Sequence, residues 1–561
     1  MKKSKFSLLL VLTLALSMFL TACFGGGDKG ASGDGDKKGG DKAAASKELR
    51  VLESAEVHGM DSVMAQDSLS FTMLNNVNEG LYRLNDKQEP IPGVADGMPT
   101  ISDDKKTYTV KLKQDLKWSN GDPVTAHDFV FAWQRALLPE TKSPYGPYMM
   151  IGKIANADKV YKKKVKPEEL GIKAKDDYTL EITLVKPLDY FTSLLTFQTF
   201  YPQNKKFVEE KGKDFAKNSD NLVFNGPYKL TDWNGPTDSE WGMELNESYW
   251  NNKETTIEKL KFNVSKDPQA SANAFSAGEA DISPRIGDSG VLSQYEGTED
   301  MLSFLEPSLW WLKMNQKENK ALQNENIRRA IALTVDKKSL VDDVLKDGSI
   351  VADFIVPKEF AKDENGEDFR TDENNFLKTN KEEAKKLWET GLKEVGIKEL
   401  ELVMVDQDTE TAKKTASFIK DQLETNLSGL TLNVQSVPYP VRLDREDNQD
   451  YDILMGGWGP DYQDPMTYMD LWVTDGGQNK MSYSNPKFDA LIKKADVDLA
   501  TKPAERWKTL QEAEKVLLEE DAAVAPLYQR TANFLVNQKI DNLVHHDLGG
   551  EFSYFWAKIE E

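Results

Sequence analysis

A strand, a helix and a second strand follow one another between residues 400 and 437, and this order constrains the fold more than any other feature. Leu400–Val405 is a short apolar run, Ala412–Leu427 has helical periodicity, and Leu430–Val437 is a second strand-like run. Two strands joined by a helical crossover of this length pair in parallel. The segment therefore predicts an α/β lobe, with Tyr451–Met455 following as a third strand.

Other elements can be placed from their periodicity and their end signals. Alternating apolar residues predict strands at Tyr108–Leu112 and Tyr178–Leu184. Between them, Thr125 and Asp128 have the spacing of a capping box, and helical periodicity then continues until Pro139. Further helices are predicted at Ile327–Leu333, Lys337–Leu345, Lys381–Val395, Pro486–Ala495 and Pro503–Leu518.

The N-terminus has the pattern of an export signal. Three early lysines precede the apolar run Leu8–Leu20, whose 13 residues would span only about 20 Å as a helix, short of the ~30 Å of a membrane core. We therefore predict a signal peptide at residues 1–22. Leu20-Thr21-Ala22-Cys23 resembles the lipobox of bacterial lipoproteins, which implies lipidation of Cys23 and anchoring at the extracytoplasmic face of the cell membrane. An incidental cleavage site with a stray cysteine is the alternative.

Residues 23–48, rich in Gly, Asp and Lys, predict a flexible tether after that cysteine, because they carry too few large apolar side chains to order themselves. The whole chain has 561 residues, more than one core usually serves, so two or three lobes are expected. Its 93 acidic residues against 71 basic ones argue against nucleic-acid binding. A single cysteine excludes an internal disulfide and a cysteine-based zinc site.

The sequence carries no pattern typical of catalysis. It contains no H-E-x-x-H, G-x-S-x-G or P-loop motif, so we predict neither an enzyme nor a cofactor. His545 and His546 are adjacent and would face opposite ways on a strand, and His127 lies in the predicted helix cap. The acidic loop at residues 363–368 lacks the spacing of a calcium loop. No metal site is predicted.

Several short blocks, in order along the chain, carry a family resemblance. They are Asn78-Glu79-Gly80-Leu81-Tyr82, Lys117–Ala126, Asp128-Phe129-Val130, Trp133-Gln134-Arg135, Ser143-Pro144-Tyr145, Asn225–Leu230, Tyr249-Trp250, Gly278-Glu279-Ala280-Asp281 and Gly457–Pro465. Together they resemble the oligopeptide-binding receptors of bacterial ABC peptide importers, from about residue 49 to the end. The ordered set is specific, whereas any single block could occur by chance.

The resemblance implies an α/β fold of the two-lobed periplasmic-binding-protein type (class II), in a large form with an extra inserted subdomain. Mapped through the blocks, lobe I would comprise residues 49–78, 204–306 and 530–561. The inserted subdomain would be residues 79–203, and lobe II residues 307–529. The crossover at 400–437, which was placed from periodicity alone, falls within lobe II.

The resemblance also implies where a peptide would bind. A receptor for many sequences must hold the main chain and the charged ends, which all peptides share. Asp461 matches the carboxylate that meets the N-terminal ammonium, and Gly457, Trp458 and Gly459 match the edge beside the ligand. Glycine allows close backbone approach, and Pro460 offers only a carbonyl. The opposite edge would be Gln66, Asp67 and Ser68. The aromatic residues Tyr145, Trp458 and Tyr528 match positions that line the family's cleft, and Tyr439, Trp310 and Trp311 are near such positions.

One position departs from relatives that prefer tri- and tetrapeptides. Those relatives carry an Arg for the ligand's C-terminal carboxylate where this chain has Met455, and no His occurs near residues 410–413. We therefore expect a looser length preference or longer peptides. Expected partners are oligopeptides, an ABC permease with its ATPase subunits, and the membrane through the lipid, with the receptor itself a monomer. The alternatives are a receptor for one signalling peptide, or for a dipeptide or another solute of the same superfamily.

Overall fold

The computed structural model describes residues 47–317, 319–371 and 375–560, without the side chains of Tyr439 and Pro440. The predicted signal peptide, Cys23 and most of the predicted tether lie outside the described residues. Strand β1 begins at Glu48, inside the segment predicted as tether. Within the described ranges, no helix is both long and apolar enough to cross a membrane.

Strands and helices alternate most regularly between Met301 and Trp458, whereas runs of successive strands occur before and after this part. The strands are β1 (Glu48–Glu53), β2 (Tyr82–Leu84), β3 (Pro90–Pro92), β4 (Thr100–Ile101), β5 (Thr107–Lys111), β6 (Ile172–Asp176), β7 (Thr179–Thr183), β8 (Tyr228–Thr231), β9 (Glu240–Leu245), β10 (Lys259–Val264), β11 (Met301–Met314), β12 (Ile350–Val351), β13 (Leu400–Gln407), β14 (Leu430–Val437), β15 (Ile453–Trp458), β16 (Val524–Leu535), β17 (Ile540–Asp541), β18 (Val544–His545), β19 (Phe552–Ser553) and β20 (Lys558–Ile559).

Three helices continue into a π-helical segment, at Leu340–Leu345, Lys494–Asp498 and Val516–Glu520. The α-helices are Ser68–Val77, Ala126–Leu137, Gly146–Met150, Ala157–Tyr161, Phe191–Leu194, Lys205–Lys211, Pro268–Ser276, Ser289–Tyr295, Glu325–Thr334, Lys337–Ser339, Lys381–Val395, Glu410–Asn426, Tyr439–Asn448, Met466–Met469, Pro486–Lys493 and Pro503–Lys515. The helices predicted from periodicity are all present, within a few residues at their ends.

Three larger sheets organise these strands. The first has the order β1-β10-β9-β8, with β1 and β10 parallel. A separate antiparallel sheet, β4-β5-β7-β6, is built from residues 100–183. The six-stranded sheet has the order β12-β16-β11-β15-β13-β14. The chain thus builds its sheets from different stretches of sequence.

The predicted crossover is confirmed. Strands β13 and β14 pair in parallel along their whole length, from Leu400 with Leu430 to Gln407 with Val437. The helix Glu410–Asn426 connects them and buries one face, including Ile419 and Leu423. The third strand, β15, begins at Ile453 and continues to Trp458, later at both ends than predicted. It is parallel to β13 only at Ile453 and Leu454.

The two longest strands, β11 and β16, pair with each other and cross the region where the predicted lobes meet. Their antiparallel register runs from Met301 to Lys313 and is interrupted between Leu305 and Leu309. Glu306 and Arg530, at the predicted lobe boundaries, form an ion pair across this interruption at 2.8 Å. A bulge of this kind locally disrupts a ladder and bends a strand, which is what a connection between lobes requires.

The capping box predicted at Thr125 is present. The Asp128 carboxylate accepts a hydrogen bond from the Thr125 backbone N–H at 2.9 Å, and the helix Ala126–Leu137 begins there. The helix buries Phe129 and Trp133, whose indole donates to the Phe200 carbonyl at 3.0 Å. His127 lies on the exposed side, 3.2 Å from Asp177, as expected of a cap residue.

Candidate functional site

A cavity of about 400 Å³ lies where segments from all parts of the chain meet. The residues that line it are Gln66, Ser68, Phe71, Tyr145, Phe197, Arg285, Glu306, Pro307, Ser308, Gly459, Pro460, Asp461, Arg530, His546, Asp547, Gly549 and Glu551. The sequence-predicted binding residues that line it are Gln66, Ser68, Tyr145, Gly459, Pro460 and Asp461. The cavity thus brings the two predicted edges together, although they are almost 400 positions apart in sequence.

Asp461 lies in the cavity wall with no cation paired to it. It is 7% exposed, and its backbone N–H donates to Thr467 Oγ1 at 3.2 Å. Its Oδ2 accepts a hydrogen bond from the Tyr148 hydroxyl at 2.8 Å, and within the described chain no residue forms an ion pair with it. Burial raises the pKa of the Asp461 carboxyl to about 7; Asp470 adds to this rise, whereas Tyr148 and Lys153 oppose it. A buried carboxylate in this state gains from an incoming cation.

An aromatic patch adjoins Asp461. Tyr145 makes edge contacts with Phe71 at 5.7 Å and with Tyr148 at 6.1 Å between ring centroids. Phe197 packs against Tyr145 at 5.2 Å. Phe71, Tyr145 and Phe197 line the cavity, and Tyr148 comes from the same short helix that follows Tyr145. Sequence reasoning missed Tyr148, for which no motif gave a signal.

The end of β15 has one edge paired and one edge largely unpaired. Gly457 and Trp458 pair with Trp310 and Leu309 of β11, whereas the β13 side carries no ladder beyond Leu454. Gly457 lies close to the backbone of β11 and not beside free space for a ligand. A methyl group at this position would lie 2.8 Å from the Leu309 carbonyl oxygen. A methyl group at Gly459 would meet no atom within 4 Å. Of the two glycines, Gly459 therefore offers room for another backbone.

Of the other predicted binding residues whose side chains the structure describes, none lines the cavity. Asp67 caps the helix Ser68–Val77, accepting a hydrogen bond from the Ser70 N–H at 2.8 Å. Tyr528 is buried and stacks on Trp310, with the ring centroids 6.0 Å apart. Gly457 and Trp458 belong to the sheet just described. Tyr439 begins the helix Tyr439–Asn448, and its side chain lies outside what the structure describes.

A group of charged residues, unforeseen from the sequence, forms the rest of the wall. Arg285 Nη2 lies 2.6 Å from Glu306 Oε1 and also pairs with Glu551. Arg530 donates from Nε to Glu306 Oε2 at 2.9 Å. These side chains come from four distant segments, and each looks like ordinary surface charge in the sequence. Their assembly is visible only in the fold.

The adjacent histidines have different surroundings, as expected of neighbours on a strand. His545 stacks on Phe304 with ring centroids 4.2 Å apart, and burial lowers its pKa. Glu306, His545 and Glu551 bring possible metal-ligand atoms within 4.8 Å of one another. Arginines already neutralise both carboxylates of this group, so its chemistry is that of an ion-pair network rather than of a cation site.

Several motif blocks meet in a network away from the cavity wall. Asn225 bonds both backbone groups of Glu79, at 3.1 Å and 2.8 Å. The Glu79 carboxylate is 1% exposed and accepts from the Tyr249 hydroxyl and the Trp250 indole, each at 2.8 Å. Arg83 lies 3.6 Å from it. These blocks hold the body together, so their recurrence in a family reflects structure.

Met455, the departure noted in the sequence, is buried in β15. Its carbonyl accepts a hydrogen bond from Arg442 Nε at 3.3 Å, and Arg442 pairs with Glu446 at 3.1 Å. The guanidinium that contacts the Met455 carbonyl is thus paired within the protein. It belongs to the helix Tyr439–Asn448, next to the sheet.

Comparisons with known proteins agree with this architecture. The profile of the bacterial extracellular solute-binding proteins, family 5 Middle, matches residues 89–480. A dipeptide-binding protein of Lactococcus lactis is 31% identical over 526 residues, which cover 91% of this chain and 94% of that protein.

Solved structures give the same result. The structure of Listeria monocytogenes OppA bound to peptide matches with a TM-score of 0.81 and 42% identity, covering 92% of this chain and 100% of that one. The pheromone receptor PrgZ, described with its mode of peptide binding, matches with a TM-score of 0.81 and 34% identity over 92% of this chain and 100% of its own. The large two-lobed α/β fold predicted from the sequence is therefore confirmed.

Proposed function

Because the chain belongs to family 5 of the bacterial extracellular solute-binding proteins, we propose that it is a receptor that binds extended oligopeptides and delivers them to an ABC importer. Relatives named as dipeptide-binding and oligopeptide-binding proteins support a peptide as the ligand. Members of this family are receptors, not enzymes. Transport energy would come from partner ATPases.

One observation carries the proposal. The Asp461 carboxylate is buried in the cavity wall and has a hydroxyl, but no cation, as its partner among the described residues. A peptide's N-terminal ammonium would supply the missing charge, and charge-assisted hydrogen bonds of this kind are the strong ones. Tyr148 would stay beside the pair as a second polar contact.

The peptide main chain would bind along the open side of β15. Past Leu454 this strand lacks a ladder partner on the β13 side, and Gly459 faces free space. Adding a ligand strand to an open edge supplies main-chain hydrogen bonds that do not depend on sequence. Gln66 and Ser68 across the cavity would serve as the opposite edge.

The lobes would close around the ligand. We propose lobe I at residues 49–78, 204–306 and 530–561, the inserted subdomain at 79–203 and lobe II at 307–529. Contacts made from both sides exist only in the closed form, so a ligand shifts the population toward it. The irregular β11–β16 pair near Glu306 would be the hinge.

The receptor would be held at the extracytoplasmic face of the cell membrane by a lipid on Cys23 and act as a monomer. The residue change Cys23→Ala tests this: the variant should be released into the medium, or the periplasm, while wild type sediments with membranes. Equal sedimentation of both proteins would contradict the anchor. Binding of peptide by the released variant should be unchanged, since the change alters none of the residues proposed to bind peptide.

A receptor for one signalling peptide is the second candidate, favoured by the similarity to the pheromone receptor PrgZ. Mass spectrometry of the peptides that co-purify with the full chain separates the two. A mixed population supports general uptake, and a single species supports signalling. Failure of the ligand-free protein to bind any unblocked peptide in calorimetry would contradict both.

The buried Met455 bears on ligand length. Arg442 is already paired to Glu446 and is therefore not free to meet a short peptide's carboxylate. We therefore propose a broad length range. Affinities for a nested series of alanine peptides should vary little from one length to the next, and a sharp optimum at three or four residues would contradict the proposal.

A further inference from the structure

Asp547 lines the same cavity as Asp461 and is half-buried. It follows β18, and its backbone N–H donates to Gln88 Oε1 at 3.1 Å, which fixes the local chain. Its carboxylate makes no hydrogen bond or ion pair with any residue that the structure describes. The mechanism proposed so far does not use it.

The charges lining the cavity do not balance. Four carboxylates line it, on Glu306, Asp461, Asp547 and Glu551, against the two guanidinium groups of Arg285 and Arg530. Both guanidinium groups are engaged by Glu306, and Arg285 also by Glu551. With all four carboxylates ionised, four negative charges less two positive ones leave two, and among the described residues the carboxylates without a cationic partner are Asp461 and Asp547.

A second polar group in this wall also lacks a partner. His546 is 7% exposed and lines the cavity; its Nε2 is 2.7 Å from Ser553 Oγ, while its Nδ1 has no hydrogen-bond partner. Burial lowers the pKa of His546 to about 3, so the ring is neutral at pH 7 and adds no positive charge. The Nδ1 atom is itself buried, so His546 contributes a neutral wall beside Asp547.

The environment of Asp547 resembles that of Asp461. Burial, together with the Glu306 carboxylate, raises the pKa of Asp547 to about 7. An N-terminal ammonium can neutralise only one of the two carboxylates. A peptide that also carries a basic side chain close to its N-terminus can neutralise both, and charged groups placed against a ligand in this way set specificity.

We infer that Asp547 is a specificity-determining residue that binds a lysine or arginine side chain of the peptide while Asp461 holds its N-terminal ammonium. The inference rests on the proposed function, because it presumes a peptide in the cavity. It predicts a receptor that prefers peptides with a basic residue among their first few positions. Acidic residues at those positions are disfavoured by the same excess of negative charge.

Paired alanine-based peptides test the inference. Each pair carries lysine or its uncharged isostere norleucine at the first, second or third position, with a free N-terminus, and calorimetry measures both affinities. For at least one position, wild type should bind the lysine peptide about tenfold tighter or more. Asp547→Asn should remove that difference and leave the norleucine affinity unchanged. The control Asp343→Asn, at an exposed carboxylate with no described partner, should behave as wild type.

The outcomes are distinct. Equal affinities within every pair for wild type, or an undiminished lysine preference in Asp547→Asn, would overturn this inference while leaving peptide binding intact. If neither member of any pair bound, the proposed function itself would fail. Should Asp547→Asn not fold, the wild-type comparison still decides, and Asp547→Glu, which retains the charge, should retain the lysine preference.

Discussion

Asp461 and Asp464 occur three residues apart in one motif and are buried to a similar extent, at 7% and 8% exposed. Asp464 accepts two hydrogen bonds from the Arg506 guanidinium, each at 2.7 Å. Among the described residues, the Asp461 carboxylate accepts a hydrogen bond only from the Tyr148 hydroxyl. The Asp464 carboxylate is thus paired inside the protein, whereas the Asp461 carboxylate is the one proposed to bind a ligand.

The comparison shows that two aspartates of one motif can differ in the groups that contact them. Residue type and burial are alike at the two positions, and only the presence of a cation separates them. The same distinction applies to Glu306 and Asp547 in the cavity wall, where one carboxylate has arginines and the other has none. An unpaired buried carboxylate costs folding free energy, and such carboxylates are typical of functional sites.

The largest expected effect is on the structural side of this comparison. Asp464→Ala removes the partner of a buried guanidinium and should lower the free energy of unfolding by about 3–5 kcal/mol. Urea denaturation without peptide measures this change, with Asp343→Ala as the control at an exposed carboxylate. A wild-type denaturation midpoint for Asp464→Ala would mean that the Arg506 pair is not structural.

Asp461→Asn is expected to affect binding instead of folding. Affinity for an unblocked peptide should fall by roughly 10² to 10³-fold, since a buried charge pair loses one partner. The free energy of unfolding at pH 8 should not decrease. The folded-state pKa of Asp461 is about 7, above that of an unfolded Asp, so ionisation of this residue destabilises the fold as pH rises through 7.

N-terminal acetylation of the peptide should mimic this substitution. It removes the ammonium from the ligand side, so wild type should lose a similar factor in affinity. Acetylation should cost Asp461→Asn little further, because the pair is already broken. Equal and additive losses from the two changes would show that the ammonium and Asp461 do not interact.

A third effect follows from pH. A peptide without basic side chains should bind more weakly as pH falls from 7 to 5, by up to about tenfold per unit. The pKa of Asp461 is about 7, so below that value a proton must leave before the carboxylate can meet the ammonium. Calorimetry of the acetylated peptide provides the control and should show a much flatter dependence. An equally steep dependence for both peptides would assign the effect elsewhere.

The smallest effects are expected from alanine substitutions at Gly457 and Gly459, which should change different properties of the protein. Gly457→Ala would place a methyl group 2.8 Å from the Leu309 carbonyl oxygen, and overpacking of this kind costs about 1–3 kcal/mol of stability. Gly459→Ala meets no protein atom within 4 Å and should leave stability unchanged. It should still weaken peptide binding severalfold if a ligand backbone passes there. Thermal unfolding and calorimetry of both variants measure the contrast.

Much of the fold could be predicted because its signals are local. The capping box at Thr125 and the alternation in Leu430–Val437 each lie within a few residues, and the structure places the corresponding helix and strand within one residue of them. The parallel pairing of β13 and β14 followed from the length of the crossover. Such features require no knowledge of distant contacts.

The cavity could be predicted only in part. The predicted residues that line it are Gln66, Ser68, Tyr145, Gly459, Pro460 and Asp461. In contrast, Asp67 caps a helix and Tyr528 stacks on Trp310. The ion pairs of Arg285 and Arg530 with Glu306 depend on where four strands and loops meet. No local pattern distinguishes these residues from the many other charged residues of an acidic chain.

The account rests on an ammonium bound at Asp461, and a crystal structure of the protein with an unblocked peptide tests this most directly. We expect the peptide nitrogen within about 3 Å of an Asp461 carboxylate oxygen, with the peptide main chain beside Gly459. A peptide bound elsewhere while the Asp461 side chain points into bulk solvent would contradict the account.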